Sequence, residues 1–365
     1  VARFEAAHPD IDIEIEEAQE STDAREAMYI KSFMSGDSNY DVVYMDVIWV
    51  PKFAAQGWLL PLEDRLPPAA QEKFLPGDLQ ASIYQGRLYR VPMGSDAGML
   101  YYRTDLVPNP PQTFDQLVQV ARKAQKPPDL WGFVFQGQQY EGLICDFLEI
   151  LWGHGGDVLN DKGEVVVDSP QAVQALEWMK SLVKDISPEG VTTYEEEQSR
   201  TVFHQGRAVF MRNWPYAWTL AQQDGSPIRG KVGIVPMVHA PGKSSAATLG
   251  GWGFGIAKTS KNVDAAWKFI EFATRPEQQK TVHFKNGMIP TRHTLFEDPD
   301  ILKESPHYPE LYKVLLAAKP RPVHPRYSEI SAALQTHVSA ALVGKESPKD
   351  ALSQAASKIR TVLGK

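Results

Sequence analysis

Apolar positions along this chain follow two alternating rhythms. Residues 1–7 read as a helix that stops before Pro9. Ile11, Ile13 and Ile15 then alternate with Asp12, Glu14 and Glu16, the period of a strand. Residues 22–35 return to helical spacing, closed by Gly36. Residues 41–45 (DVVYM) form a short buried strand, and a helix follows from about Trp49. Strand then helix, repeated, predicts an α/β layered fold. Loops take over around Pro67, Pro68, Pro76 and Gly77, and strands resume at 88–91 and 98–103. Pro108, Pro110 and Pro111 punctuate the chain and predict a crossing between domains. Beyond them the pattern predicts helices at 114–124, 141–153 and 171–184 and a strand at 131–135. Asp168-Ser169-Pro170 supplies a capping residue and a proline at the first helical position. Strands at 208–211, 231–235 and 252–257 alternate with a helix at 214–223. The remainder is mostly helical, at 263–273, 276–284, 309–318, 327–343 and 348–362. An α/β domain of this kind opens with a strand feeding its first helix. The chain begins inside that helix, so a first strand is expected to be missing.

Composition narrows the class. At 365 residues the chain has room for about two domains. With 43% apolar and 23% charged residues it is neither disordered nor fibrous, and no apolar run is long enough to span a bilayer. A net charge of −7 speaks against a nucleic-acid partner. One cysteine, Cys145, excludes an intrachain disulfide and a multi-cysteine metal site. Val1-Ala2-Arg3-Phe4-Glu5 has neither the apolar stretch nor the cleavage site of a signal peptide.

The familiar catalytic and cofactor patterns fail. Gly250-Gly251-Trp252-Gly253-Phe254-Gly255 lacks dinucleotide-binding spacing, and Gly242-Lys243-Ser244 has Met237 where a phosphate loop needs glycine. No zinc-protease, calcium-loop or nucleophile-elbow motif is found, and the histidines are scattered. Neither cofactor nor metal is expected.

What remains is a set of carboxylates and rings. Asp46 ends the strand Val42-Val43-Tyr44-Met45, where open α/β sheets place their ligands; its ordinary alternative is a helix N-cap. Asp96, in Gly94-Ser95-Asp96-Ala97-Gly98, is otherwise a turn aspartate. Tyr140-Glu141 stands at a predicted helix start, where an acid also suits the helix dipole. Trp214 and Tyr216, with Trp218, crowd the segment Asn213-Trp214-Pro215-Tyr216-Ala217-Trp218, as core or as faces for the C–H side of a pyranose. Gly251-Trp252 adds a ring beside a glycine that lets backbone come close. Arg321, between Pro320 and Pro322, is a hydrogen-bonding fork or a solvated linker residue. Carboxylates with aromatic rings suit an uncharged polyol, whose unpaired buried hydroxyls would each cost about 1–3 kcal/mol.

Motifs in order along nearly the whole chain resemble one family. They are Tyr40-Asp41-Val42-Val43-Tyr44-Met45-Asp46, Gly86-Arg87-Leu88-Tyr89-Arg90-Val91-Pro92 and Leu100-Tyr101-Tyr102-Arg103-Thr104-Asp105-Leu106. Trp131-Gly132-Phe133-Val134-Phe135-Gln136-Gly137, Gln139-Tyr140-Glu141-Gly142-Leu143 and Phe203-His204-Gln205-Gly206-Arg207-Ala208 follow. The segment at 213–218, Ala246-Ala247-Thr248-Leu249-Gly250-Gly251-Trp252 and Gly287-Met288-Ile289-Pro290-Thr291-Arg292 complete the series. The chain resembles the extracytoplasmic sugar-binding proteins of ABC importers, in the maltose/trehalose-binding branch of family 1 solute-binding proteins.

That resemblance implies an α/β, two-lobed periplasmic-binding-protein fold with a hinged cleft. The N-lobe would comprise 1–107 and 258–315, and the C-lobe 110–255 and 322–365. Crossings would fall near 104–110, 255–258 and 316–324. It implies a monomer that captures a small α-glucoside (trehalose, maltose, sucrose or glucosylglycerol), closes on it and delivers it to the importer's transmembrane subunits. The ligand contacts carried over are Asp46, Asp96, Tyr140, Glu141, Trp214, Tyr216, Gly251, Trp252 and Arg321. The location implied is periplasmic, or membrane-anchored through an export segment outside this chain. Some relatives carry an aromatic residue two places before the cleft aspartate; Gly94 stands there, which opens space or removes a stacking face and points to a preferred sugar other than trehalose or maltose. The alternatives are a binding protein of this fold for another solute, and a glycoside hydrolase drawing on Asp46, Asp96 and Glu141.

Overall fold

The computed structural model describes residues 1–17, 22–36 and 39–364. In chain order its strands are β1 (Val42–Asp46), β2 (Ile83–Tyr84), β3 (Arg87–Leu88), β4 (Val91–Ala97), β5 (Met99–Arg103), β6 (Trp131–Val134), β7 (Ala208–Asn213), β8 (Val232–Val235), β9 (Leu249–Ile256) and β10 (Ile289–Pro290). The chain divides into two compact units. The first holds residues 1–95, 250–306 and 323–325; the second holds 96–249, 307–322 and 326–365.

The first unit is built on a sheet of order β1-β9-β4-β10, with β2 and β3 as a separate hairpin. β1 and β9 run antiparallel, Val42 opposite Ile256 and Asp46 opposite Trp252. Tyr29 and Phe33, from the helix Thr22–Met34, pack with Val43, Met45, Trp49 and Phe53 against one part of it. Leu62, Phe74, Val91, Ile256 and Ile270 form a second cluster. Stripping water from such side chains contributes about 1.5–3 kcal/mol each.

The second unit has a sheet of order β6-β7-β5-β8, with β6 and β7 parallel. The helix Glu141–Gly153 is buried at every position, its apolar side chains in the core and its carboxylates Glu141, Asp146 and Glu149 paired with buried arginines. It packs on the helices Pro170–Leu182 and Tyr327–Leu342, which in turn hold Pro348–Val362, in one core that includes Phe147, Leu151, Leu176, Leu334 and Ile359. Ser169 caps the helix Pro170–Leu182 as its sequence implies, its hydroxyl accepting from the Ala172 N–H at 3.4 Å.

Pairing redraws the expected boundaries. The strand at 98–103, expected in the N-lobe, is β5, which hydrogen-bonds to β7 and β8 of the second unit. The strand at 252–257, expected in the C-lobe, belongs to β9 and pairs with β1 of the first. The helix Tyr308–Leu316 falls in the second unit, where the N-lobe was expected to reach 315. Two divisions lie at 95–96 and 249–250, inside strands, the others at 306–307, 322–323 and 325–326, and Pro108, Pro110 and Pro111 sit within the second unit. Prolines mark where a chain turns, but ladder bonds decide which sheet it joins. Ile11 to Ile15 forms no strand: the Ile13 N–H donates to the Glu5 carboxylate at 3.1 Å, and Ile15 is 66% exposed. An alternating pattern becomes a strand only when a neighbouring edge takes its backbone groups. The helix Glu196–His204 was not anticipated from the pattern.

Candidate functional site

In the second unit, the carboxyl ends of the parallel strands β6 and β7 carry the residues singled out from sequence. β6 is followed by Tyr140, which N-caps the helix Glu141–Gly153. β7 ends at Asn213 and leads directly to Trp214 and the helix Tyr216–Ala221. β5 lies antiparallel to β7 with Met99 opposite Asn213, so Asp96, just ahead of β5, stands at the same end of the sheet. Asp96 is part of β4 rather than a turn. This is the placement expected for a ligand site in an α/β sheet.

Three rings there share two carboxylates that the sequence reading missed, Glu196 and Glu197 at the start of the helix Glu196–His204. The Tyr140 hydroxyl donates to Glu196 Oε2 at 2.7 Å, and the Trp214 indole N–H donates to Glu196 Oε1 at 3.1 Å. The Tyr216 hydroxyl donates to Glu197 Oε1 at 2.6 Å. Hydrogen bonds from Arg200 hold Glu197 below the usual carboxylate range. Burial, followed by the charge of Glu196, pushes the Tyr140 phenol well above its ordinary value, so it stays a donor. Tyr140 folds over Gly142, where a Cβ would lie 2.1 Å from the phenol oxygen.

Trp214 is held from further sides. Its backbone N–H donates to Asn213 Oδ1 at 2.8 Å, its carbonyl accepts from the Tyr101 hydroxyl at 2.8 Å, and the Arg212 guanidinium lies 4.1 Å from its ring centroid. Arg212 is fully buried and paired with Asp146 at 2.9 Å and Glu149 at 2.6 Å. Desolvation pushes the Asp146 carboxyl well up despite Arg212.

Glu141 and Arg321 form a second cluster. Arg321 Nη1 donates to Glu141 Oε1 at 2.8 Å, as does the Tyr327 hydroxyl at 2.7 Å, and the Ser331 hydroxyl donates to Oε2. Both ionic residues are buried. Arg321 is therefore not a solvated linker residue, and Glu141 does more than complement a helix dipole.

In the first unit, Asp46 and Trp252 face each other across β1 and β9. Asp46 is buried and caps the following turn, accepting from the Ile48 N–H at 3.1 Å. Half-buried Trp252 stacks on Tyr44 (5.3 Å, 24°) and meets Trp49 edge-on. Gly251 has φ +131°, and a Cβ there would lie 2.6 Å from the Gly94 carbonyl oxygen. Its missing side chain lets strand approach strand. The space expected at Gly94 is filled, since a Cβ there would meet Met288 Cγ at 2.8 Å. A cavity of about 310 Å³ at the far end of the helix Glu196–His204 is lined by Arg200, His204, Leu220 and Asp224, and by none of the residues singled out from sequence.

The second unit thus gathers fixed rings and carboxylates at the carboxyl ends of its parallel strands. The family model for bacterial extracellular solute-binding proteins matches residues 1–280. A probable ABC transporter-binding protein of Deinococcus radiodurans is 36% identical over 97% of this chain and 87% of its own. This chain therefore belongs to the bacterial extracellular solute-binding protein family, whose members bind solutes and are not enzymes. Its fold is the two-domain periplasmic-binding-protein fold. The structure of maltose-bound MalE3 of T. maritima superposes with a TM-score of 0.94 at 42% identity, over 99% of this chain and 94% of that one. A solute-binding protein of Thermotoga lettingae bound to α-D-tagatose gives 0.90 at 26%, over 100% and 94%. Among the described residues, no helix is long and apolar enough to cross a membrane.

Proposed function

We propose that this protein is the extracytoplasmic component of an ABC importer that captures a small α-glucoside, closes on it and delivers it to the membrane permease. The carrying observation is the cluster of Tyr140, Trp214 and Tyr216, whose polar edges are tied to Glu196 and Glu197. Rings held by their edges can each offer a face to the C–H side of a pyranose, while nearby carboxylates take its hydroxyls. In this reading Asp96, Tyr140, Trp214 and Tyr216 of the second unit and Asp46, Gly251 and Trp252 of the first contribute to the ligand. Glu141 and Arg321, spent largely on each other, support the wall behind Tyr140. The likeness to a maltose-bound structure at 42% identity favours an α-glucoside. The tagatose-bound relative at 26% favours a second reading, a monosaccharide or polyol ligand.

Isothermal titration calorimetry against trehalose, maltose, sucrose and glucosylglycerol, with tagatose and ribitol as comparators, decides between them. Saturable heat near one disaccharide per chain supports the proposal. Saturation by tagatose or ribitol alone moves the assignment to the second reading, and no heat from any of the six refutes both.

A further inference from the structure

We propose that Glu196 is the positioning residue of this site: its carboxylate fixes the edges of Tyr140 and Trp214 and so sets which ligands are held. The inference rests on the ring cluster being the ligand site, and deepens that reading. An ionised carboxylate accepts only, with about four lone-pair directions. Glu196 gives one oxygen to the Tyr140 hydroxyl at 2.7 Å and the other to the Trp214 indole N–H at 3.1 Å. These rings come from segments far apart in the chain, one after β6 and one after β7, so a single side chain sets their mutual orientation.

The remaining contacts of Trp214 make that orientation specific. Arg212 lies against one face of its ring at 4.1 Å, which leaves the opposite face for a ligand. Asn213 holds its backbone N–H and Tyr101 its carbonyl. Glu196 takes the indole edge and, with Arg212 on the ring face, fixes the rotamer. The Glu196 backbone is fixed in turn, its carbonyl accepting from Asn213 Nδ2 at 3.1 Å and from the Ser199 hydroxyl at 3.0 Å. Rings held in place before binding leave less ordering to be done on binding.

Glu196→Gln keeps the shape but leaves one acceptor oxygen for two ring donors and turns an amide N–H₂ toward the other. Glu196→Ala removes both acceptors. The readouts are calorimetric affinity for the best-bound sugar and the ¹⁵N–¹H resonance of the Trp214 indole, assigned by its loss in Trp214→Phe. We expect affinity to fall about tenfold in the Gln variant and about a hundredfold in the Ala variant. The indole resonance should shift upfield in both variants without ligand, with thermal unfolding of the Gln variant unchanged. An unmoved indole resonance overturns the anchoring. A moved resonance with affinity inside twofold of the parent overturns the role in ligand selection. If the parent protein binds no sugar, the proposed function fails while the indole resonance still decides whether Glu196 anchors Trp214. Should the Ala variant not fold, the Gln variant carries both readouts.

Discussion

Glu141→Gln separates a structural role for the Glu141–Arg321 pair from direct contact with ligand. The Glu141 carboxylate takes Arg321 at 2.8 Å, Tyr327 at 2.7 Å and the Ser331 hydroxyl, all in the buried interior of the second unit. Glutamine has one acceptor oxygen, so its amide N–H₂ must point at a hydroxyl or at the guanidinium. The buried positive charge of Arg321 then loses the Glu141 carboxylate 2.8 Å away. Breaking one partner of a buried pair costs about 3–5 kcal/mol. For a unit of this size, each kcal/mol lowers the melting temperature by about 2–4 °C, so a fall of about 10 °C is expected. Differential scanning calorimetry gives the melting temperature of the transition containing the second unit, and titration at 25 °C gives the sugar affinity. A melting temperature within 2 °C of the parent, with affinity lost, would refute the structural role and return Glu141 to the ligand contacts.

Further outcomes follow from other sites. Burial raises the Asp78 carboxyl from its ordinary 3.8 to about 6 in spite of Arg90 at 3.6 Å. The folded state then holds a proton that the unfolded state has released. This group's contribution is greatest below pH 4 and falls as pH rises to 6, by about 3 kcal/mol in all; Asp78→Asn should remove that part of the slope in urea unfolding at stepped pH, and an unchanged slope would count against it. Gly251→Ala should destabilise by about 2 kcal/mol or more, because φ is +131° and the new Cβ meets the Gly94 carbonyl; a denaturation midpoint equal to the parent's would contradict the close strand approach. Trp214→Ala should weaken sugar binding about a hundredfold with the fold intact by circular dichroism, a hundredfold being about 2.7 kcal/mol; affinity within threefold would remove Trp214 from the site.

Much of the architecture was legible because local signals and tertiary packing agreed. Ser169-Pro170 announced its helix, and the helix expected at 141–153 is found at Glu141–Gly153. Asp46 could be placed because a carboxylate at a strand end has few roles, and one of them, the cap on Ile48, is observed. The failures have a common cause, which is information held by distant residues. Ile11, Ile13 and Ile15 alternate faultlessly but meet no ladder. The space at Gly94 belongs to Met288, nearly two hundred positions later. For Arg321, a fork or a linker residue by sequence, Glu141 beside it decides for the fork. Glu196 and Glu197 were missed with their helix: Glu195-Glu196-Glu197 reads as a solvated acidic run. Its one positive signal was Gln198, three residues after the capping Glu195 and hydrogen-bonded back to its N–H.

Gly98 joins β4 to β5, where the chain leaves one sheet for the other. Its φ is not left-handed, so dihedral freedom does not explain it. A Cβ there would fall 1.9 Å from Glu149 Oε1 and 2.2 Å from Arg212 Nη2. This one-residue connector is thus keyed to a buried ion pair, and its length and identity are set by charge packing rather than by suppleness. A bulkier residue at this point would press on the Arg212–Glu149 pair, so a redesign of the connection has to begin in the interior of the second unit.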